Sequence, residues 1–289
     1  MEYRTLGKTG LRASVIGIGV EHLKDVPAEE IEEILRMALR EGVNYIDLVW
    51  ALPNIVDGLS AALENEEEKP IIAFHLGSCI VNGKYTRSRD PDKCETHLMN
   101  QLELLDMDCA PVANIHYVPG LKAWREVERR GLLALAGRLK NEGMARAVSV
   151  STHDPEILML AAESGVEVVM YQVNAANHGF DLRDRALESC RRLGVGVVAM
   201  KPFAGGELLK AGKRVRIPAY KTGWKTIDMR IPSSVTPVNL LSYTLSQPGV
   251  CTAVTGVSST RELASDLAYL KASEEDRHHA FVVQGLPQA

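Results

Sequence analysis

The chain of 289 residues is 46% hydrophobic and 24% charged, with a formal net charge of −4. That is enough apolar chain for one large core or two small ones, and it lacks the basic excess that a nucleic-acid partner demands. Five scattered cysteines without a CxxC pair exclude a disulfide framework or zinc knuckle, and the polar N-terminus and lack of a ~18-residue apolar run leave no leader or membrane span, so a cytoplasmic protein is expected.

Residues 3–14, YRTLGKTGLRAS, read as a small hairpin around a Gly-Lys-Thr-Gly turn. Strand and helix signals then alternate. Strand-like runs are 15–20, 43–47, 71–75, 110–116, 145–151, 167–173, 196–201 and 250–256. Amphipathic stretches lie at 28–41, 55–64, 91–105, 121–141, 155–164, 182–193, 237–246 and 260–270. In the first of these, Ile31, Ile34, Leu35 and Ala38 recur at helical spacing after Pro27. Asp154-Pro155 and Thr236-Pro237 each place a capping side chain before a first-turn proline. Cys109 and Cys251 fall in strand-like runs and are expected to pack as small core hydrophobes. The mixed run Arg125–Arg130 and the basic run Lys210–Arg216 read as solvated surface.

Eight strand-then-helix units without a linker predict an α/β fold, a closed (β/α)8 TIM barrel in a single domain over 1–289. The hairpin, 1–14, caps the bottom of the barrel; 15–271 form the barrel; 272–289 form a tail with a further helix. The loop Ala204–Val235 is long enough to expect a function for it, while Gly77–Asp90 carries no motif that this reading recognises.

In a parallel barrel the C-terminal strand ends converge on one mouth. Here they are Asp47, His75, His116, Ser151 followed by His153, Gln172 with Asn174, and Lys201. One polar strand end is ordinary surface; six of eight predict a site.

YRTLGKTGL followed by VIGIG, then VNYID, GMARAVSVSTHD, YQVN, VVAMKPFAGG and VTGVSSTREL resemble, in this order, the aldo-keto reductases. The MKPFAGG and STHD wording is most similar to a microbial branch whose longer members add a C-terminal iron–sulfur segment; no matching cysteine cluster stands in this sequence. The resemblance implies NAD(P)-dependent reduction of a small carbonyl substrate by an Asp, Tyr, Lys and His tetrad. Asp47 and His116 match the Asp and His. His75 stands where the family has its lysine. About five residues after Asp47, where the family has its tyrosine, the chain reads Leu-Val-Trp-Ala-Leu-Pro. An imidazole titrates near neutrality, so His75, its tautomer fixed by Asp47, could join His116 in supplying the acid. Tyr85, beside Lys84, is a displaced tyrosine that ranks below this pair.

The same resemblance implies a cofactor side. Ser151, Thr152 and Gln172 would bind the nicotinamide carboxamide and Met200 would stack on the ring. Lys201, Pro202, Gly205 and Gly206 would wrap the pyrophosphate, where glycines permit close backbone approach. Gly19 closes the first barrel strand on that side, and Ser258, Arg261 and Asp266 would hold the adenosine end. NADP and NAD both remain open, as does the oligomeric state. Two other readings stand beside a reductase: a non-catalytic nucleotide-binding sensor, and a metal site in which Asp47, His75 and His116 act as one carboxylate and two imidazoles.

Overall fold

The computed structural model describes residues 1–210, 212, 215–219, 223–227 and 231–283. The chain opens with an antiparallel hairpin, β1 (Tyr3–Thr5) and β2 (Arg12–Ser14). There follow β3 (Ile16–Gly19), α1 (Ala28–Arg40), β4 (Tyr45–Leu48), α2 (Pro53–Leu63) and β5 (Ile71–Leu76). A second hairpin, β6 (Ser78–Val81) and β7 (Lys84–Arg87), precedes α3 (Pro91–Leu104) and β8 (Ala110–Ile115). Next come α4 (Leu121–Arg129), α5 (Leu132–Asn141), β9 (Ala145–Thr152), α6 (Pro155–Glu163), β10 (Val168–Gln172), α7 (Arg183–Leu193) and β11 (Gly196–Met200). A third hairpin, β12 (Val215–Ala219) and β13 (Gly223–Ile227), leads to α8 (Pro237–Leu245), β14 (Val250–Gly256) and α9 (Thr260–Leu267).

Eight strands close into a parallel barrel in the order β3-β4-β5-β8-β9-β10-β11-β14, with β14 pairing back onto β3. The pattern that predicts α1 also buries it: Ile31, Ile34, Leu35 and Ala38 all face the barrel wall. Asp154 and Thr236 cap α6 and α8 by accepting from Glu156 N–H and Asn239 N–H, each worth about 1 kcal/mol.

The barrel floor is closed by the first hairpin. Leu6 N–H donates to Leu11 O at 2.8 Å, and both leucines are buried in the inner cluster with Tyr45 and Met170. Gly7 sits at φ +53, and a Cβ there would lie 2.4 Å from Gly196 N and 2.7 Å from Gly194 O. Backbone atoms cannot swing aside, so Gly7→Ala is expected to destabilise the protein by about 1–3 kcal/mol through overpacking. Urea denaturation at neutral pH checks this; an unchanged midpoint would mean that the hairpin does not bear on the floor in solution.

Several expectations need correction. The stretch 121–141 is two helices, because Gly131 takes left-handed backbone at φ 83 and the helix cannot run through it. As far as Val283, the last described residue, the tail has turns and one short 3-10 segment, Ala280–Val283, in place of a longer helix. Its backbone is held by α8, where Asn239 Nδ2 donates to Asp276 O and His278 O at 2.8 Å each, and its own Arg277 side chain donates back to Tyr269 O. Residues 284–289 of the tail, and 211, 213 and 214 of the basic run, lie outside the described residues. Cys251 is buried, but Cys109 precedes β8 and is only half-buried.

Candidate functional site

β4, β5 and β8 are consecutive in the barrel, with Asp47 in register with Ala73 and His75 with Asn114. Parallel neighbours lie about 4.8 Å apart, so side chains leaving their C-terminal ends inward must meet. They do: His75 Nε2 is 2.6 Å from Asp47 Oδ1, and His75 Nδ1 is 2.9 Å from His116 Nδ1. All three residues are buried. The remaining nitrogen of His116, Nε2, is 2.7 Å from the Tyr85 hydroxyl. Tyr85, His116, His75 and Asp47 therefore form one unbroken chain of hydrogen bonds.

Protons can be placed along it without conflict. With His75 protonated on Nε2 and His116 on Nδ1, the phenol donates to His116, His116 donates to His75, and His75 donates to the carboxylate. Asn114, whose Oδ1 has no partner among the described residues, lies 3.1 Å from His75 Nε2; with its amide turned, that oxygen shares the same N–H.

Tyr85 is delivered by β7. Its hairpin is joined to the β4 end by Ser78 Oγ, which donates to Val49 O. The phenol ring lies 5.5 Å from the ring of Trp50, and Leu52 packs against the core instead of facing the mouth. Arg89, next along the chain, clasps the turn after β8: its guanidinium donates to His116 O and Tyr117 O at 2.7 Å each. Tyr117 is held at φ 43, and its N–H donates to Ser151 Oγ at 2.7 Å.

Burial first, then the nearby His75, Arg89 and Arg87, hold His116 down at about 2, so it is neutral across the physiological range. Burial raises the Tyr85 phenol, and Arg87 and Arg89 oppose that rise. Burial, with Lys201 adding to it, lowers His153 to about 3.

A cleft of about 930 Å³ opens from this chain toward α9. Among the residues singled out in the sequence, Gly19, Asp47, His75, His116, Ser151, Met200, Lys201, Pro202, Gly205, Gly206, Ser258 and Asp266 line it. Three do not. Thr152 is fully buried, its hydroxyl donating to Val118 O; Gln172 is fully buried; Arg261 is exposed and apart from the cleft wall. His153 reaches the cleft beside Ser151, with an Nδ1 that has no partner among the described residues.

The cleft suits a dinucleotide on three grounds. At Gly205 (φ +68) and Gly206 (φ +82) a Cβ would meet nothing within 4 Å, so the backbone faces open space. His153 Nδ1 and Asp266 Oδ2 are buried polar atoms without partners among the described residues, on two side chains that line the same cavity. The volume is at the upper end for a ligand pocket. Burial raises Asp266 to about 7, so it can donate as well as accept.

A metal triad of Asp47, His75 and His116 does not form. Both His75 nitrogens are spent on Asp47 and His116, so the donors follow one another in line rather than converging on a point. Among the described residues no group of three His, Cys, Asp or Glu side chains is placed to hold a metal ion.

In the sequence Tyr85 ranks low because it lies within Gly77–Asp90, a stretch with no recognised motif. The signal was present in Ser78–Arg87, SCIVNGKYTR. Asn82-Gly83 between β-prone runs marks a two-residue hairpin turn, and both residues take the left-handed backbone it requires, at φ 52 and 71.

The family model for the aldo/keto reductases matches residues 15–280. An L-galactose dehydrogenase of Arabidopsis thaliana is 23% identical over 285 residues, covering 93% of this chain and 88% of that protein. An uncharacterised oxidoreductase of Bacillus subtilis is 25% identical over 249 residues, 79% of this chain and 74% of its own. In fold, an aldo-keto reductase from Bacillus halodurans, solved in a holo form, superposes with a TM-score of 0.75 at 20% identity, covering 100% of this chain and 97% of its own.

Proposed function

The chain belongs to the aldo/keto reductase family, and from that premise we propose that it is an NAD(P)H-dependent oxidoreductase that reduces an aldehyde or ketone with Tyr85 as proton donor. The observation that carries this reading is the hydrogen-bond chain from the Tyr85 hydroxyl through His116 and His75 to Asp47. By the family resemblance, Asp47 and His116 keep two tetrad positions, while His75 takes the lysine's place and Leu52 the tyrosine's. The hairpin β6–β7 brings a phenol back to the mouth by another route.

NAD(P)H, when bound, supplies the hydride. On the protein side, Tyr85 gives its proton to the carbonyl oxygen. For this the chain is loaded in the opposite sense by one proton from solvent entering at Asp47, which leaves His75 protonated on Nδ1 and His116 on Nε2. The phenolate then takes the proton of His116 Nε2, His116 Nδ1 takes that of His75 Nδ1, and His75 Nε2 takes the one at Asp47, restoring the resting arrangement. Each imidazole takes a proton on one nitrogen as it releases one from the other, so neither passes through an imidazolium. That suits a His116 whose burial resists charge. Gly205 and Gly206 offer backbone to the pyrophosphate, with Lys201 for charge. Ser151 and His153 face the ring end, and Ser258 and Asp266 face the other.

Titration with NADH and NADPH, followed by their oxidation in the presence of an aldehyde and ketone panel, tests this. Binding and turnover of at least one dinucleotide are expected. Tight binding with no turnover across the panel would replace the reductase with a nucleotide-binding sensor.

A further inference from the structure

Tyr85 and Arg87 are two residues apart on β7, so their side chains leave the same face of the hairpin, with stems about 7 Å apart. Both line the cleft. The Arg87 guanidinium lies 5.0 Å from the centroid of the Tyr117 ring. That ring is a fixed platform, because the Tyr117 backbone is held by Ser151 and by Arg89. Arg87 is thus oriented by an aromatic face and has no carboxylate partner within 4 Å among the described residues.

The other charges of the cleft are engaged or remote. Lys201 faces Glu21 at 4.0 Å. Asp47 is bound to His75, and Glu262 accepts from Ser258 N–H and its hydroxyl. Asp266 lies at the α9 end. On the wall around the phenol, built from Val49, Trp50, Tyr85, Arg87, His116 and Tyr117, the side chains are apolar, aromatic or neutral imidazole except for Arg87. A free planar fork beside a proton donor is a binding site for a second group on the substrate. Guanidinium geometry selects a carboxylate, which it holds through two parallel N–H bonds.

We propose that the substrate is a carbonyl acid, an aldehyde or ketone bearing a carboxylate that Arg87 binds while its carbonyl oxygen meets Tyr85. This rests on the reductase reading for the chemistry, though not for the anion site. The expectation is a kcat/KM for 4-oxobutanoate at least about 10-fold above that for butanal, its uncharged counterpart, as charge-assisted hydrogen bonds imply. Arg87→Gln should bring the ratio of the two near unity. Arg87→Lys should restore it only in part, since an ammonium keeps the charge without the fork.

Calorimetric titration with 4-hydroxybutanoate, with and without NADH, gives a readout that needs no turnover. Binding should be weakened at least about 10-fold in Arg87→Gln. Equal or better use of butanal, or a ratio preserved in Arg87→Gln, would overturn the anion site and leave the reductase reading standing. Turnover of neither aldehyde would count against the reductase reading; 4-hydroxybutanoate binding that is lost in Arg87→Gln would still uphold the anion site, and its absence would overturn it.

Discussion

Tyr85→Phe is expected to lower kcat for carbonyl reduction by about 10²–10⁴-fold, the usual contribution of a positioned general acid. The substitution removes one hydroxyl from a half-buried hairpin, leaving the ring to pack on Trp50 and His116. The lost hydrogen bond to His116 Nε2 is worth about 1 kcal/mol, so the fold and NAD(P)H affinity should hold. Because burial keeps the phenol above its ordinary value, it is protonated at neutral pH, the form an acid requires. A merely structural Tyr85 would change KM or thermal stability and leave kcat nearly intact. Retention of more than half of kcat in Tyr85→Phe would assign the proton to another group, His116 first. His75→Ala should resemble it in kcat, because the relay would then stop at His116.

The barrel was legible because its signals are redundant. Asp47, His75 and His116 each stand at the end of an apolar run, and eight such runs alternate with amphipathic ones; a missed boundary at any one would not change the topology. The membership of the site was legible only where strands build it. Asp47 and His75 meet because β4 and β5 pair, which strand order alone predicts. Tyr85 and Arg87 arrive from a hairpin whose direction depends on Ser78 reaching Val49 O and on Arg89 reaching past β8, contacts about thirty residues away in sequence. Thr152 shows the converse error. Its place in a motif suggested a ligand contact, but a hydroxyl beside free carbonyls satisfies them, and Val118 O and Asp154 N take it first. The tail departs from expectation for the same reason, since the carbonyls of Asp276 and His278 accept from Asn239 instead of from a helix of their own.

Stability should fall as the solution is acidified, chiefly through the three buried groups shifted furthest, with His97 and His178, which burial also lowers, adding to the fall. The folded protein holds His116 at about 2 and His153 at about 3, while in the unfolded chain an imidazole titrates near 6.5. Below pH 6.5 the unfolded state therefore binds two protons that the folded state refuses. The stability they contribute is complete above pH 6.5 and is lost at about 1.4 kcal/mol per pH unit for each. Asp266 runs the other way. Held at about 7 when folded, it keeps its proton where the unfolded carboxyl has released it, so acidification from pH 7 to about 4 regains about 1.4 kcal/mol per unit. The net expectation from pH 6.5 to 4 is a loss of about 1.4 kcal/mol per unit, roughly 3 kcal/mol in all, a large share of a typical domain's 5–15 kcal/mol. Below pH 4 the unfolded carboxyl is protonated too, the offset ends, and the slope doubles until His153 begins to charge. Urea denaturation across this range separates the contributions. Asp266→Asn should steepen the slope to about 2.7 kcal/mol per unit between pH 6.5 and 4. His153→Gln should remove most of the slope over the same range, since His116 and Asp266 then balance. Identical slopes in all three proteins would show that these side chains are hydrated in solution and that the floor of the cleft is open to water.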